Sequence, residues 1–591
     1  MQTQSTSDTS YAGYYDKAFW SKLTTTGTVV DLSALRLCVF APCGEIFFIG
    51  VAVAGNLKVN SSAPLVNTRA DWRIERLGLV SALDWSIVAS LALLVVLGFG
   101  LRVTQLGAVG FAEDEMNKLD AVHAYERGDF TANSEHPMVM KLLMWASLRG
   151  VPAGSEEAAL RLPNALIGAL TAIPLFLLTA ALFDRWHALL AAAFWAFGVN
   201  AITHNRIGKE DSLLVFFMLF AFFFFVRAKQ ISPADKPARN HRYAASAVAF
   251  GLMIASKYFP HYLGLNMLFH HNFHVRKAEP GEPSGKVPGW FFLLIIGVFL
   301  IASPAVLLPE VWQYMNAYMG EKLLTHSGYL FAGQLYKNNM SSSPFWGTPI
   351  YFYLLFLAIK VPLLTLAAFV IGLVISIKQR QVGHAFLIFM FLFWIVPYSL
   401  IGAKWLRYTL SLMPFVYMLA AVGLIGLIRW LMPLLSRSRR VVAVLVVGLF
   451  VGVPAWTAFA NGPHYALYTN ALAAGKAGYV FPHDEFYDDG LREAIKYVCE
   501  QAPTGATIAH ETPAVARHYL AVFGRPDLNS QAISSKEFDV RTVAGPVYVL
   551  VQRGRTYFEN REELDHVRAR FRHVHDVNIN GASAVEVYVD H

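Results

Sequence analysis

The constraint that governs this chain is the length of its apolar runs. Stretches such as Trp85 to Leu101, Leu213 to Val226 and Tyr351 to Ile377 reach or approach the roughly 20 residues that carry a helix across about 30 Å of hydrocarbon. In lipid every backbone polar group needs an internal partner, so such runs fold as spanning helices. Across the 591 residues 55% are hydrophobic and only 15% charged, below the quarter usual in soluble domains. The apolar runs predict an all-α polytopic transmembrane bundle of about 11 helices, near 83–104, 160–182, 188–203, 211–227, 243–257, 260–272, 290–309, 349–376, 384–400, 408–428 and 441–459.

The formal net charge of +8 does not point to nucleic acid, because the basic residues are scattered through short loops rather than gathered in one patch. They act instead as a topology signal. With the first span running outward, the inside loops 183–187, 227–242, 273–289, 377–383 and 429–440 hold 15 lysines and arginines in 57 residues, well above the outside loops. This places loop 105–158, loop 310–348 and the C-terminal tail together on the extracytoplasmic side of a cell (inner) membrane. Three regions follow: an N-terminal extension (1–82), with an apolar stretch at 37–54 that is a span or a buried segment; a transmembrane module (83–459); and an extracytoplasmic α/β domain (460–591). In the tail, Asp488–Gln501 predicts an amphipathic helix, and Thr507–His510, Val547–Gln552 and Ala584–Val589 predict strands. The three cysteines, Cys38, Cys43 and Cys499, have neither zinc spacing nor an even disulfide framework. His270, His271 and His274 lack the companion ligands of a closed metal site. No metal site is predicted and no cofactor is required, although a divalent cation is compatible with the sequence.

Chemistry is expected in the first outer loop, where Glu113, Asp114 and Glu115 follow the first span closely. A carboxylate at a membrane surface can take a proton from an attacking hydroxyl; the plainer reading is a solvated acidic loop. The motifs decide between them. Asp114-Glu115 with Lys118 and Tyr125, Gly128-Asp129-Phe130, and His136-Pro137-Met138-Val139-Met140-Lys141-Leu142-Leu143 resemble the first luminal loop of protein O-mannosyltransferases. Asn205 to Leu214 and Ala255-Ser256-Lys257-Tyr258 are similar to two later stretches of that family, in the same order. Lys404-Trp405-Leu406-Arg407-Tyr408 to Pro414 is similar to a segment of the lipid A aminoarabinose transferases. Both groups are GT-C glycosyltransferases. The second proline of the family's His-Pro-Pro motif is Met138 here, and loop 310–348 is too short for the carbohydrate-recognising insert of the eukaryotic enzymes.

The resemblance implies an inverting displacement by which a sugar leaves a polyprenyl phosphate carrier in the membrane lipid for an acceptor hydroxyl or lipid phosphate on a protein, lipid or glycan. It implies Asp114 as general base or acceptor-orienting carboxylate, and Glu115 holding the sugar or a partner cation. Lys257 and Arg407 are the preferred donor-phosphate ligands, joined by Arg206, His136 and Lys141. For each cation alone, an interfacial snorkelling residue is the competing explanation, and Arg206 with Asp211 is equally an ion pair. Tyr125, Asp211 and Trp346 are the sugar or acceptor candidates; an aromatic interfacial belt is the simpler account of Ser341 to Trp346. A secondary transporter would show related halves and broken helices at the midplane, and neither halves nor such a site is evident. A non-catalytic membrane scaffold is the other alternative. The Trp-Trp-Asp-Tyr-Gly motif of oligosaccharyltransferases is absent from the chain.

Overall fold

The computed structural model describes strands at 35–43 and 46–53, then residues 85–590 apart from 153, 277–285, 320–326, 340–344, 380, 435–438, 536–537 and 544. Most of the expected 1–82 extension, Ser341 to Pro344 and most of the loop at 278–288 lie outside the described residues. The chain divides into two units, residues 1–42 with 47–73 and residues 43–46 with 74–591. In the stretch 37–54, two strands, β1 (Leu35–Cys43) and β2 (Ile46–Val53), pair with each other.

The protein is a multi-pass membrane protein. Among the described residues six helices are long and apolar enough to cross a bilayer: α1 (Trp85–Val103), then Glu156–Leu182, Asp211–Gln230, Val382–Leu400, Met413–Leu431 and Arg440–Ala460. A seventh is reached if Arg185–Ala196 and Val199–Asn205, bent by 57°, count as one span. The eleven expected from hydropathy exceed this number, because several apolar runs are broken or short. The run 349–376 is cut into Phe352–Lys360 and Leu363–Lys378 by Val361-Pro362, since a proline denies the helix a donor and disfavours helical geometry just before it. The run 290–309 is cut in the same way at Ser303-Pro304. His261–Asn272 is a helix of 12 residues. The helix containing 243–257 begins at Lys236 and carries Arg239 and Arg242 in its first turns.

Small residues draw the bundle together. A Cβ on Gly372 would lie 1.8 Å from the Leu419 carbonyl oxygen, and one on Gly423 would lie 1.9 Å from that of Ala368, so Leu363–Lys378 and Met413–Leu431 touch backbone to backbone. By contrast, only 17% of the α1 window and 11% of the last span are buried, against 67% for Asp211–Gln230. Those two helices present apolar surface to lipid.

The tail forms a five-stranded sheet in the order β6-β5-β7-β9-β8, with β5 (Thr507–His510), β6 (Asn529–Ala532), β7 (Val547–Gln552), β8 (Arg572–Ile579) and β9 (Ala582–Asp590). A short hairpin, β3 (Tyr329–Phe331) and β4 (Gln334–Tyr336), precedes it in loop 310–348. β5 runs parallel to both β6 and β7, while β9 is antiparallel to β7 and β8. The chain leaves β5 to one side through Pro513–Val522 and returns on the other, so the carboxyl ends of β5 and β7 form the crevice where α/β sheets place functional groups. The edge strands β6 and β8 escape a reading by hydropathy, being polar on alternate positions with no β-branched run.

The tail and loop 105–158 share one core. Phe111, Met116, Leu119 and Val122 pack in the same cluster as Ile495, Val498, Val515 and Tyr519. A buried ion pair, Lys360 Nζ to Glu485 Oε1 at 2.5 Å, binds the tail to the helical part, and Lys360 also donates to the carbonyls of Ala466 and Tyr468.

Candidate functional site

The site is built on the first turn of α2 (Glu113–Glu126). The Ala112 N–H donates to Glu115 at 3.0 Å, closing the turn, and three acids there suit the positive end of the helix dipole. Successive helical residues point about 100° apart, so Glu113, Asp114 and Glu115 face three different parts of the protein.

Glu115 faces inward and is 1% exposed. It accepts from Arg161 at 2.7 and 2.5 Å and from the Gly208 N–H at 2.8 Å. The partner cation expected for it is therefore Arg161, and its oxygens are spent on holding α2 to the Glu156–Leu182 helix and to loop 206–210. Glu113 faces the tail, accepting from Arg555 at 2.7 Å, while its N–H donates to Asp488 at 3.0 Å.

Asp114 is 31% exposed at the side chain, and its three partners line a cavity. Lys209 Nζ lies 3.0 Å from Oδ1, Arg407 Nη1 lies 2.9 Å from Oδ2, and the Tyr487 hydroxyl donates to Oδ2 at 2.6 Å. Burial pushes this carboxyl up, but Lys209, Arg407 and Tyr487 together outweigh it and hold the group well below the usual carboxylate range. Lys209 is lowered by its burial, against the opposing pull of Asp114. Arg407 lies over the rings of Trp405 and Tyr408 at 5.3 and 5.7 Å. Lys209, Arg407 and Tyr487 line a small cavity with His204, Ile207, Asp211 and Asp484. Burial raises Asp484 to about 6, although it accepts from the Tyr329 hydroxyl and the Leu406 N–H. A second, larger cavity, lined among others by Arg161, Arg206, His464 and Asp489, shares Ile207 and Tyr487 with the first.

The other residues expected at the site divide clearly. Asp211 lines the first cavity and pairs with Lys257 at 3.1 Å, so the ion pair of Asp211 is with Lys257 and not with Arg206. Lys257 also lies over Phe259 and Tyr408. Arg206 caps the end of α1, donating to the carbonyls of Arg102, Thr104 and Gln105 at 2.8 to 2.9 Å. Lys141 donates to the carbonyls of Ala132, Asn133 and His136 and is pushed down to about 7 by burial and then by Lys118. It thus closes the loop on itself. His136 is buried beside Glu210, 3.7 Å away; burial, then Lys118 and Lys209, hold it well below its usual range. Glu210 in turn pairs with Lys118 at 2.9 Å. Tyr125 is buried with Met138, Ala305 and Val311, and Trp346 is 78% exposed; neither lines the cavity beside Asp114. Among the described residues no group of three or more His, Cys, Asp or Glu is placed to hold a metal ion.

Three residues of this site escape sequence reasoning. Lys209 stands inside the Asn205–Leu214 motif, its spacing to Asp114 invisible in sequence. Tyr487 and Asp484 come from the tail, just before the stretch Asp488–Gln501 that reads as an amphipathic helix, and carry no motif of their own.

Comparison with known proteins meets the same reading. Residues 135–308 match the family model of dolichyl-phosphate-mannose-protein mannosyltransferases. The three stretches of resemblance at 136–143, 205–214 and 255–258 all fall inside that segment, and the resemblance to GT-C glycosyltransferases is borne out. No protein of curated function matches the chain. Among solved structures, ArnT from Cupriavidus metallidurans bound to undecaprenyl phosphate is 14% identical, covering 86% of this chain and 98% of its own, with a TM-score of 0.45. The Archaeoglobus fulgidus oligosaccharyltransferase is 12% identical, covering 80% and 70%, with a TM-score of 0.48. The Saccharomyces cerevisiae protein O-mannosyltransferase complex Pmt1-Pmt2, bound to its sugar donor, is 19% identical, covering 44% and 38%, with a TM-score of 0.29.

Proposed function

We propose, taking as premise that residues 135–308 are a dolichyl-phosphate-mannose-protein mannosyltransferase segment within a GT-C chain, that this protein transfers a sugar from a polyprenyl phosphate carrier to an acceptor hydroxyl or lipid phosphate. Asp114 stands at the reaction centre. The observation that carries this reading is a partly exposed carboxylate, Asp114, set between Lys209 and Arg407, which themselves line a cavity. The active site and tail face the extracytoplasmic side of the inner membrane, as the distribution of basic loops favours.

In this scheme the acceptor oxygen attacks the anomeric carbon from the face opposite the phosphate. The bond to the phosphate oxygen breaks with its electron pair, giving inversion and a free polyprenyl phosphate. Arg407 and Lys209 meet the charge that develops on that phosphate, at a site where water is scarce and such contacts count for more. The phosphate role expected of Lys257 passes to Lys209, while Lys257 fixes Asp211 at the cavity wall. When the two cations turn to the donor, Asp114 loses the charges that depress it, its pKa climbs, and it accepts the acceptor proton.

The test is sugar transfer by the full chain in lipid, from a panel of radiolabelled polyprenyl phosphate sugars, beside Asp114→Asn. Transfer by the native chain and a loss of about 10²-fold or more in the variant, with unchanged elution as a folded species, is the expected result. A native chain that neither transfers nor binds any donor would overturn the reading in favour of a transporter or scaffold.

A further inference from the structure

Among the described residues, Tyr487 is the one uncharged partner of the Asp114 carboxylate, and it comes from the tail. Three features set it apart from a buried tyrosine that has simply found an acceptor. Its backbone is left-handed, with φ 46°, and so is that of Asp488, with φ 66°. Two consecutive non-glycine residues in that region are held there only where the surroundings over-determine them, a condition concentrated at functional sites. The surroundings here do so. Asp488 accepts from Arg555 at 2.7 and 2.5 Å and from Gln552 at 3.0 Å, and it receives the Glu113 N–H. Arg555 and Gln552 belong to the crevice at the carboxyl end of β7, so the central strand of the sheet fixes the residue next to Tyr487. Finally, Tyr487 lines both cavities, which makes its ring a shared wall beside the carboxylate.

We infer that Tyr487 is a positioning residue for Asp114, aimed by the Asp488–Arg555–Glu113 clamp, and that it keeps the carboxylate oriented toward the acceptor while Arg407 and Lys209 engage the donor phosphate. This rests on the reading of Asp114 given above. A neutral hydroxyl is suited to that role, because it holds the carboxylate in place without competing for the phosphate, and it stays when the cations move.

The experiment is Tyr487→Phe in the full chain in lipid, with kinetics over a range of pH. The expected result is a fall in kcat of about tenfold, the scale of one lost hydrogen bond to a charged group, with the donor KM within about twofold of native. Because the hydroxyl helps to hold Asp114 down, its loss moves the acid limb of the pH profile to higher pH. In an Asp114→Asn background the same substitution has no further effect. Native kcat and pH profile in Tyr487→Phe, or an undiminished effect without the Asp114 carboxylate, would overturn the inference. Should Tyr487→Phe fail to elute as a folded species, Asp488→Asn, which loosens the clamp and leaves the phenol in place, carries the test with the same expected split. A native chain without transfer activity sinks the reading of Asp114 itself, whereas native transfer with an indifferent Tyr487→Phe sinks this inference alone.

Discussion

Glu115 and Asp114 are neighbours in sequence, yet the structure assigns them opposite consequences on substitution. Glu115 is 1% and Arg161 5% exposed at the side chain, and they meet through two short hydrogen bonds. Removing one member of a buried pair leaves the other charge uncompensated and costs about 3–5 kcal/mol. That is a large share of the roughly 5–15 kcal/mol typical of a folded domain. Glu115→Gln keeps the shape and loses the charge, so its cost should fall in that range. Arg161→Met should cost at least as much, because Arg161 also serves the carbonyls of Leu106, Val109 and Gly110. In the double variant no buried charge is stranded, and its loss should fall short of the sum of the two single losses by about 2–3 kcal/mol. The assay is reversible unfolding of the four proteins in one detergent, with midpoint and slope fitted together. Losses that add to within about 0.5 kcal/mol would refute the buried pair as the reason for this carboxylate. So would a Glu115→Gln protein with native stability and no activity, which would return Glu115 to catalysis.

Two further outcomes are expected. Glu511, buried between Asn560 and Ser534, is raised to about 7, chiefly by burial. A raised carboxyl keeps its proton in the folded state after the unfolded chain has released it, so stability falls as pH rises from about 4.3 toward 7, by at most about 1.4 kcal/mol per pH unit. Glu511→Gln should remove that slope and gain on the native chain at pH 8, as unfolding midpoints at pH 5, 6.5 and 8 will record; identical pH dependences would contradict it. Transfer should also survive chelation within about twofold, because Lys209 and Arg407 already meet the charge of Asp114 and repel a divalent ion. A loss of about tenfold restored by magnesium or manganese would refute this.

The acidic first turn of α2 was legible in sequence, since the Asp-Glu pair and the motifs after it stand in fixed order. The strands Thr507–His510 and Val547–Gln552 were also legible, as short β-branched runs between turn residues. The destinations of the cations were not. Arg206, Lys141, Lys257 and Arg407 look alike in sequence, each a basic residue near the end of an apolar run. What separates them is the partner across the fold: Arg206 finds carbonyls about a hundred positions earlier, whereas Arg407 finds Asp114 across 293 positions. Hydropathy likewise reports the depth of a segment but not its continuity, so Pro362 and Pro304 break runs that a window average joins.

The clamp has a consequence for how such a protein comes into being. Tyr487, Asp488 and Arg555, which complete the surroundings of Asp114, leave the ribosome after α2, Tyr487 by 373 positions from Asp114. During synthesis Asp114 and its two cations are therefore assembled without the phenol, and Glu113 without its guanidinium. Lys360 waits in the same interval for Glu485. The surroundings of Asp114 are therefore complete only once the sheet has folded against α2, so the order in which the chain emerges also orders the assembly of this pocket.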